Sequence, residues 1–375
     1  MSLKKPLEEA VASQLVSDVP VGVFLSGGLD SGLIAHFAAA HAGYRVSSYS
    51  FSNAGYDDDE AAIASRYAER LGLKHQNVSI DLAREFEPLY ERAVSAYEVP
   101  IAYPAAVPLF ALAEQAARHN RVVLTGEGGD ELLGGYTKYQ VPRRITARTK
   151  IAAFQLMNAK KRAWQREWLD LCIFYQRYDR LLKPAGAVPY VDIPVHGADW
   201  LNHMLAFDQR NYLVSMLHKT DTMTMAHALE ARVPYLDNGL VELSNALPAR
   251  FKLRGGRTKW ILRKIASKRL PEEYAKMPKR GFPVRFIEDL MWKNQESIID
   301  GFASHPTVSE RVDARELGHL KSKARAKSLD YVTLWIMKTY VDWYRMFFEE
   351  KVFLKPPTGA SISVAANELP ALQRK

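Results

Sequence analysis

Val21-Gly22-Val23-Phe24-Leu25-Ser26-Gly27-Gly28-Leu29-Asp30-Ser31 is the stretch that decides the fold. A short apolar run containing β-branched residues reads as a buried strand, and it breaks into Ser-Gly-Gly before an apolar segment of helical length. Working outward, residues 32–42 read as that helix, 45–51 as a second strand and 59–71 as an amphipathic helix stopping at Gly72. Residues 77–80 read as a third strand, 82–97 and 106–119 as helices, and 122–124 as a fourth strand. Strands alternating with helices predict an α/β fold with a doubly wound, mostly parallel sheet. Ligands on such sheets bind at the carboxyl ends of the strands.

The chemistry of the first strand end follows from its residue types. Two glycines let the chain turn tightly and let backbone N–H groups approach a phosphate without interference from Cβ. Ser26 and Ser31 add hydroxyl donors, and the following helix N-terminus adds partial positive charge. Asp30 would repel bare phosphate, which suggests a metal ion between them. The loop lacks the Gly-Lys-Ser/Thr ending of the ordinary P-loop. The competing reading is a glycine-rich turn with no ligand, and the full string Ser-Gly-Gly-Leu-Asp-Ser after a strand weighs against it.

A second string repeats the design: Val122-Val123-Leu124-Thr125-Gly126-Glu127-Gly128-Gly129-Asp130-Glu131-Leu132-Leu133-Gly134-Gly135-Tyr136. Its crowded carboxylates repel one another unless they share a cation or a proton. The functional reading is a further Mg²⁺ ligand and a general base; the bland one is a solvated acidic turn.

The first string resembles the pyrophosphate loop of the N-type ATP pyrophosphatases, whose fold is that of the adenine nucleotide alpha hydrolases and which cleave between the α- and β-phosphates. The second is similar to the Ser-Gly-Glu-Gly-Gly-Asp-Glu signature of asparagine synthetases. Two more strings look like the same family: residues 221–237, ending Glu230-Ala231-Arg232-Val233-Pro234-Tyr235-Leu236-Asp237, and residues 259–282, ending Pro278-Lys279-Arg280-Gly281-Phe282. The likeness fades after about residue 290. It implies that Leu25, Asn53, Thr125 and Gly126 line an adenosine pocket, and that Ser26, Gly27, Gly28 and Ser31 hold the departing pyrophosphate. It further implies that Asp30 and Asp130 hold Mg²⁺, that Glu127 takes a proton as the amide forms, and that Lys279 neutralises phosphate charge. Asp221 and Glu230 are expected near the acceptor acid, although Glu230 and Arg232 could equally form a structural ion pair.

Two positions depart from the family pattern. Tyr103, in Glu98-Val99-Pro100-Ile101-Ala102-Tyr103, stands where an Asp is common, and Thr222 stands where a basic residue is common. Both fall beside the expected acceptor site. The resemblance therefore implies Mg-ATP-dependent amide formation on a carboxylic acid, with L-aspartate first among the candidates. A β-lactam-forming, macrocycle-forming or sugar-amidating relative is the second reading.

Asparagine synthetases of this type carry an N-terminal glutaminase with a cysteine directly after the initiator Met. Residue 2 here is Ser2, and the lone cysteine, Cys172, lies in an apolar-aromatic run. The expectation is a synthetase portion excised from a longer protein, or one served by a separate glutaminase. Alone it would hydrolyse no glutamine and would use free ammonia. Residues 1–355 are expected to form the synthetase region, with an α/β core over 1–140 and a mainly helical completion over 141–355. The aperiodic tail over 356–375 is expected to be disordered.

Composition narrows the remaining classes. Apolar residues make up 47% of the 375 and charged residues 25%, which permits a sizeable core. A single cysteine excludes an internal disulfide and suits a reducing, cytoplasmic setting. No run approaches the length of a membrane span. The net charge of +9 suits ATP, pyrophosphate or nucleic acid without choosing among them. The basic residues across 143–166 keep a nucleic-acid-binding reading open, against the commoner solvated helix face. A second copy of the chain is an allowed partner. The ten histidines are scattered with no metal-ligand spacing.

Overall fold

The computed structural model describes residues 3–42, 45–54, 59–144, 200–272, 274, 284–309, 314–325 and 331–350. Lys279, Cys172, the basic residues from Arg148 to Arg166 and the tail over 356–375 lie outside them.

Five strands form one parallel sheet in the order β3-β2-β1-β4-β5. The strands are β1 (Val21–Phe24), β2 (Val46–Asn53), β3 (Lys74–Ile80), β4 (Val122–Leu124) and β5 (Glu230–Arg232). The chain moves outward from β1 to β2 and β3, then returns across β1 to β4. The strand order therefore reverses between β1 and β4, the position at which such sheets open a crevice. Strands β1 and β4 are buried almost throughout because helices cover both faces.

Alternation along each strand sorts the core into two halves. Val21, Val23, Val46, Val122 and Leu124 face helices α1 (Lys4–Gln14), α2 (Leu29–Ala42) and α3 (Asp59–Arg70). Tyr49, Phe51, Val78, Ile80 and Val123 face α4 (Leu82–Tyr97) and α5 (Ala106–Ala116). A short helix, α6 (Gly129–Leu133), follows β4, and two longer ones, α7 (Trp200–Arg210) and α8 (Tyr212–Met225), lead into β5. Beyond β5 come α9 (Asn238–Ala246) and α10 (Trp260–Ala266), which join the α2 side of the core. Then α11 (Arg285–Lys293), α12 (Gln295–Ser304), α13 (Ala314–Arg325) and α14 (Tyr331–Tyr344) cover the α4 side.

Among the described residues, one strand lies within residues 141–355. Strand β5, within the string read as an acceptor-binding segment, completes the sheet edge. It is only three residues long and none of them is buried, so neither periodicity nor an apolar run announces it. Its Arg232 ties the edge to the end of α1, donating from Nη1 to the carbonyls of Gln14 and Val16, both at 2.8 Å.

Candidate active site

The two glycine-rich turns stand side by side at the carboxyl ends of β1 and β4. A Cβ on Gly126 would lie 3.1 Å from the Ser31 backbone nitrogen, and one on Gly129 would lie 3.0 Å from Asp30 Oδ1. Glycine at these positions lets the second turn lie directly against the first. Gly128 adopts φ +85°, a backbone setting open mainly to glycine, and starts α6.

The first turn closes on its own hydroxyls. Ser26 and Ser31 share a hydrogen bond of 2.9 Å, the Gly28 amide donates to Ser26 Oγ at 3.1 Å, and the Ser26 amide donates to Ser31 Oγ at 3.1 Å. Gly27 is packed against Glu60, where a Cβ would come within 2.9 Å of backbone.

A cavity of about 560 Å³ opens over both turns. Leu25, Ser26, Gly28, Asp30, Ser31, Thr125, Gly126, Glu127, Asp130 and Tyr103 line it, so most of the predicted site converges there. Tyr103 is buried, hydrogen-bonds Ser215 and meets Tyr212 edge to face at 6.2 Å.

Other predicted residues are placed elsewhere. Asn53 ends β2, but its side chain accepts the Leu82 amide at 3.2 Å and caps α4 beside Asp81; it is not among the cavity-lining residues. Asp221 is exposed on α8 and does not line the cavity. Glu230 pairs in register with Val122, at the amino-terminal end of β4, and forms a 2.7 Å ion pair with Arg232. That is the opposite end of β4 from the turn at Thr125–Gly129.

The site also contains groups that sequence reasoning passes over. Lys259, only 3% exposed, places its Nζ 2.5 Å from Asp130 Oδ1 and also bonds Asp30. It holds φ at 50°, an unfavourable setting for a side-chain-bearing residue that the surrounding packing must enforce. Lys219 and Thr220 reach in from α8 to Glu127 Oε1, at 3.0 Å and 2.5 Å. Glu131 is buried and accepts a 2.6 Å hydrogen bond from Tyr136. Burial first, and the neighbouring Asp130 charge second, push its carboxyl up to about 7.

Comparison with known proteins agrees with this architecture. The family model described as asparagine synthase matches residues 2–345. The chain belongs to the asparagine synthase family. A putative asparagine synthetase [glutamine-hydrolyzing] of Mycobacterium tuberculosis (strain ATCC 25618 / H37Rv) is 30% identical over 385 residues, covering 92% of this chain and 57% of the relative. Asparagine synthetase [glutamine-hydrolyzing] 1 of Bacillus subtilis (strain 168) is 31% identical, with 93% and 60% covered. Asparagine synthetase [glutamine-hydrolyzing] 1 of Arabidopsis thaliana is 25% identical, with 80% and 43% covered. The chain thus spans about three-fifths of the bacterial relatives' length or a little less.

The residues that line the cavity in this chain include those of the two signature strings, together with Lys219, Thr220 and Lys259 from helices α8 and α10 or their boundaries. Among the described residues, no helix is long and apolar enough to cross a membrane.

Proposed function

We propose that this chain forms an amide by first joining a carboxylate to the AMP portion of ATP, with release of pyrophosphate, and then passing the acyl group to ammonia. The observation that carries the reading is the abutment of the two strand-end turns, which puts the Ser26–Ser31 turn and the Asp30 and Asp130 carboxylates along one cavity.

The turn from Ser26 to Ser31 supplies donors for the β- and γ-phosphates, at the N-terminus of α2. Leu25, Thr125 and Gly126 form the wall for the adenosine. Asp30 and Asp130 already converge on a single cation, the Lys259 ammonium, and their oxygens are the hard ligands that Mg²⁺ takes. Among the described residues no three His, Cys, Asp or Glu side chains gather to hold a metal unaided. That fits an ion held by one or two carboxylates plus substrate phosphates. Asp30 and Asp130 would hold Mg²⁺, whose chemistry here is to neutralise charge on the phosphates as the α–β bond breaks. Lys279 is proposed to share that neutralising role.

In the second step the ammonia nitrogen attacks the acyl carbon, a C–N bond forms, and the C–O bond to AMP breaks with its electron pair leaving on AMP. The surplus proton on nitrogen passes to the Glu127 carboxylate. The names of the bacterial relatives specify glutamine hydrolysis and asparagine. L-Aspartate is accordingly the proposed acid, and a glutaminase, in the same longer protein or separate, the proposed ammonia source. A cytoplasmic setting is part of the same proposal.

Asp30→Asn removes one metal ligand with little change in volume. It should abolish pyrophosphate release from Mg-ATP and L-aspartate while the circular dichroism spectrum is retained. Near-normal turnover would refute the assignment.

A further inference from the structure

Glu127 is held asymmetrically. Its Oε1 accepts from Lys219 Nζ at 3.0 Å and from Thr220 Oγ1 at 2.5 Å, while Oε2 is buried with no hydrogen-bond partner among the described residues. Lys219 is 4% exposed, so its charge is compensated inside the protein by this carboxylate. The donors come from the inward face of α8, where Leu213, Met216, Lys219, Thr220 and Met223 recur at helical spacing, and α8 packs on α5.

We infer that Lys219 and Thr220 are positioning residues for amide formation: they pin one oxygen of Glu127 and leave the other, Oε2, as the proton acceptor for the ammonia-derived nitrogen. The inference rests on the reading of Glu127 as the base. Two donors on one oxygen fix the carboxylate plane and its rotamer. Without them the carboxylate is free to turn, and the acyl-adenylate is lost to water instead of ammonia. Both residues act through Glu127, whose Oε1 they hold.

A double-substitution cycle on the full chain tests this, with Mg-ATP, L-aspartate and ammonium chloride as substrates and the ratio of asparagine to AMP as the readout. That ratio separates positioning from general damage, because partial unfolding lowers both products together. Lys219→Met should lower the ratio on the order of a hundredfold, the scale on which misplacing a reacting group acts. Lys219→Arg, which keeps a donor on Oε1, should recover most of the loss, and Thr220→Val should lower the ratio where Thr220→Ser does not. In a Glu127→Gln background, Lys219→Met should change the residual ratio by less than about twofold, because residues acting as one unit are not additive. Equal fold losses from Lys219→Met in both backgrounds would overturn the inference and leave the base assignment standing. An unchanged ratio in Glu127→Gln itself would instead overturn the base assignment.

Discussion

Lys259 Nζ lies 2.5 Å from Asp130 Oδ1 and bonds Asp30 as well, so one buried ammonium joins the turn after β1 to the turn after β4. Both carboxylates are mostly buried, and the lysine charge they share favours their close approach. Lys259→Met removes that charge and leaves two carboxylates in mutual repulsion. It should destabilise the nucleotide-free protein by about 3–5 kcal/mol, the usual penalty for breaking a buried pair. Millimolar Mg²⁺ alone should then raise the melting temperature of the variant more than that of the wild type, because the ion can supply the positive charge that the lost ammonium gave the two carboxylates. An equal response of the two proteins in a thermal melt would contradict this.

The close approach of the turns also sets a steric limit. At Gly135 a Cβ would fall 1.6 Å from Asp130 Oδ1 and 2.4 Å from Lys259 Cε. Gly135→Ala should therefore push the carboxylate–lysine cluster apart, with a cost of about 1–3 kcal/mol or more and loss of pyrophosphate release. At Gly301, in α12, a methyl group would meet nothing within 4 Å, so Gly301→Ala should stabilise by roughly 0.5–1 kcal/mol through helix propensity alone. Urea titrations of the two variants, run beside the activity assay, compare them directly.

Glu131 supplies a pH dependence of known sign. Its carboxyl sits at about 7 in the folded protein against an ordinary value of 4.5, so the folded state resists ionisation that the unfolded state accepts. Below about pH 4.5 both states hold the proton and the group is neutral to stability. As pH rises from there to about 7 the folded state loses ground, and above that the penalty is complete. Glu131→Gln keeps an acceptor for the Tyr136 hydroxyl and removes the titration. Its stability relative to wild type should therefore grow between about pH 5 and pH 7.5, measured by denaturant unfolding at both values. A constant difference would rule out the shift.

How far the sequence carries can be judged residue by residue. The turns at Ser26–Ser31 and Thr125–Gly129 are legible because each follows a β-branched run, and only glycine-rich sequence permits their contact. Lys219 and Lys259 escape a sequence reading because their roles arise from where α8 and α10 pack, far along the chain from both turns. Asp221 draws attention ahead of its neighbour Thr220 as a carboxylate in a family string, yet the helix phase separates them. Leu213, Met216, Thr220 and Met223 mark the inward stripe of α8, and Asp221 falls off it. Asn53 ends β2, two residues beyond the strand read from the sequence, but whether it faces a ligand or caps α4 depends on the path of the β3–α4 connection. Strand β5 is too short and too exposed to carry a pattern.

The fate of ATP separates this chemistry from every alternative that merely binds the nucleotide. Incubating the full chain with Mg-ATP, L-aspartate and ammonium chloride, and resolving the nucleotides chromatographically, should give AMP and pyrophosphate in equal amounts, matched by asparagine. ADP and inorganic phosphate in their place would mean that cleavage falls at the β–γ bond, and the proposed role of the Ser26–Ser31 turn would be wrong.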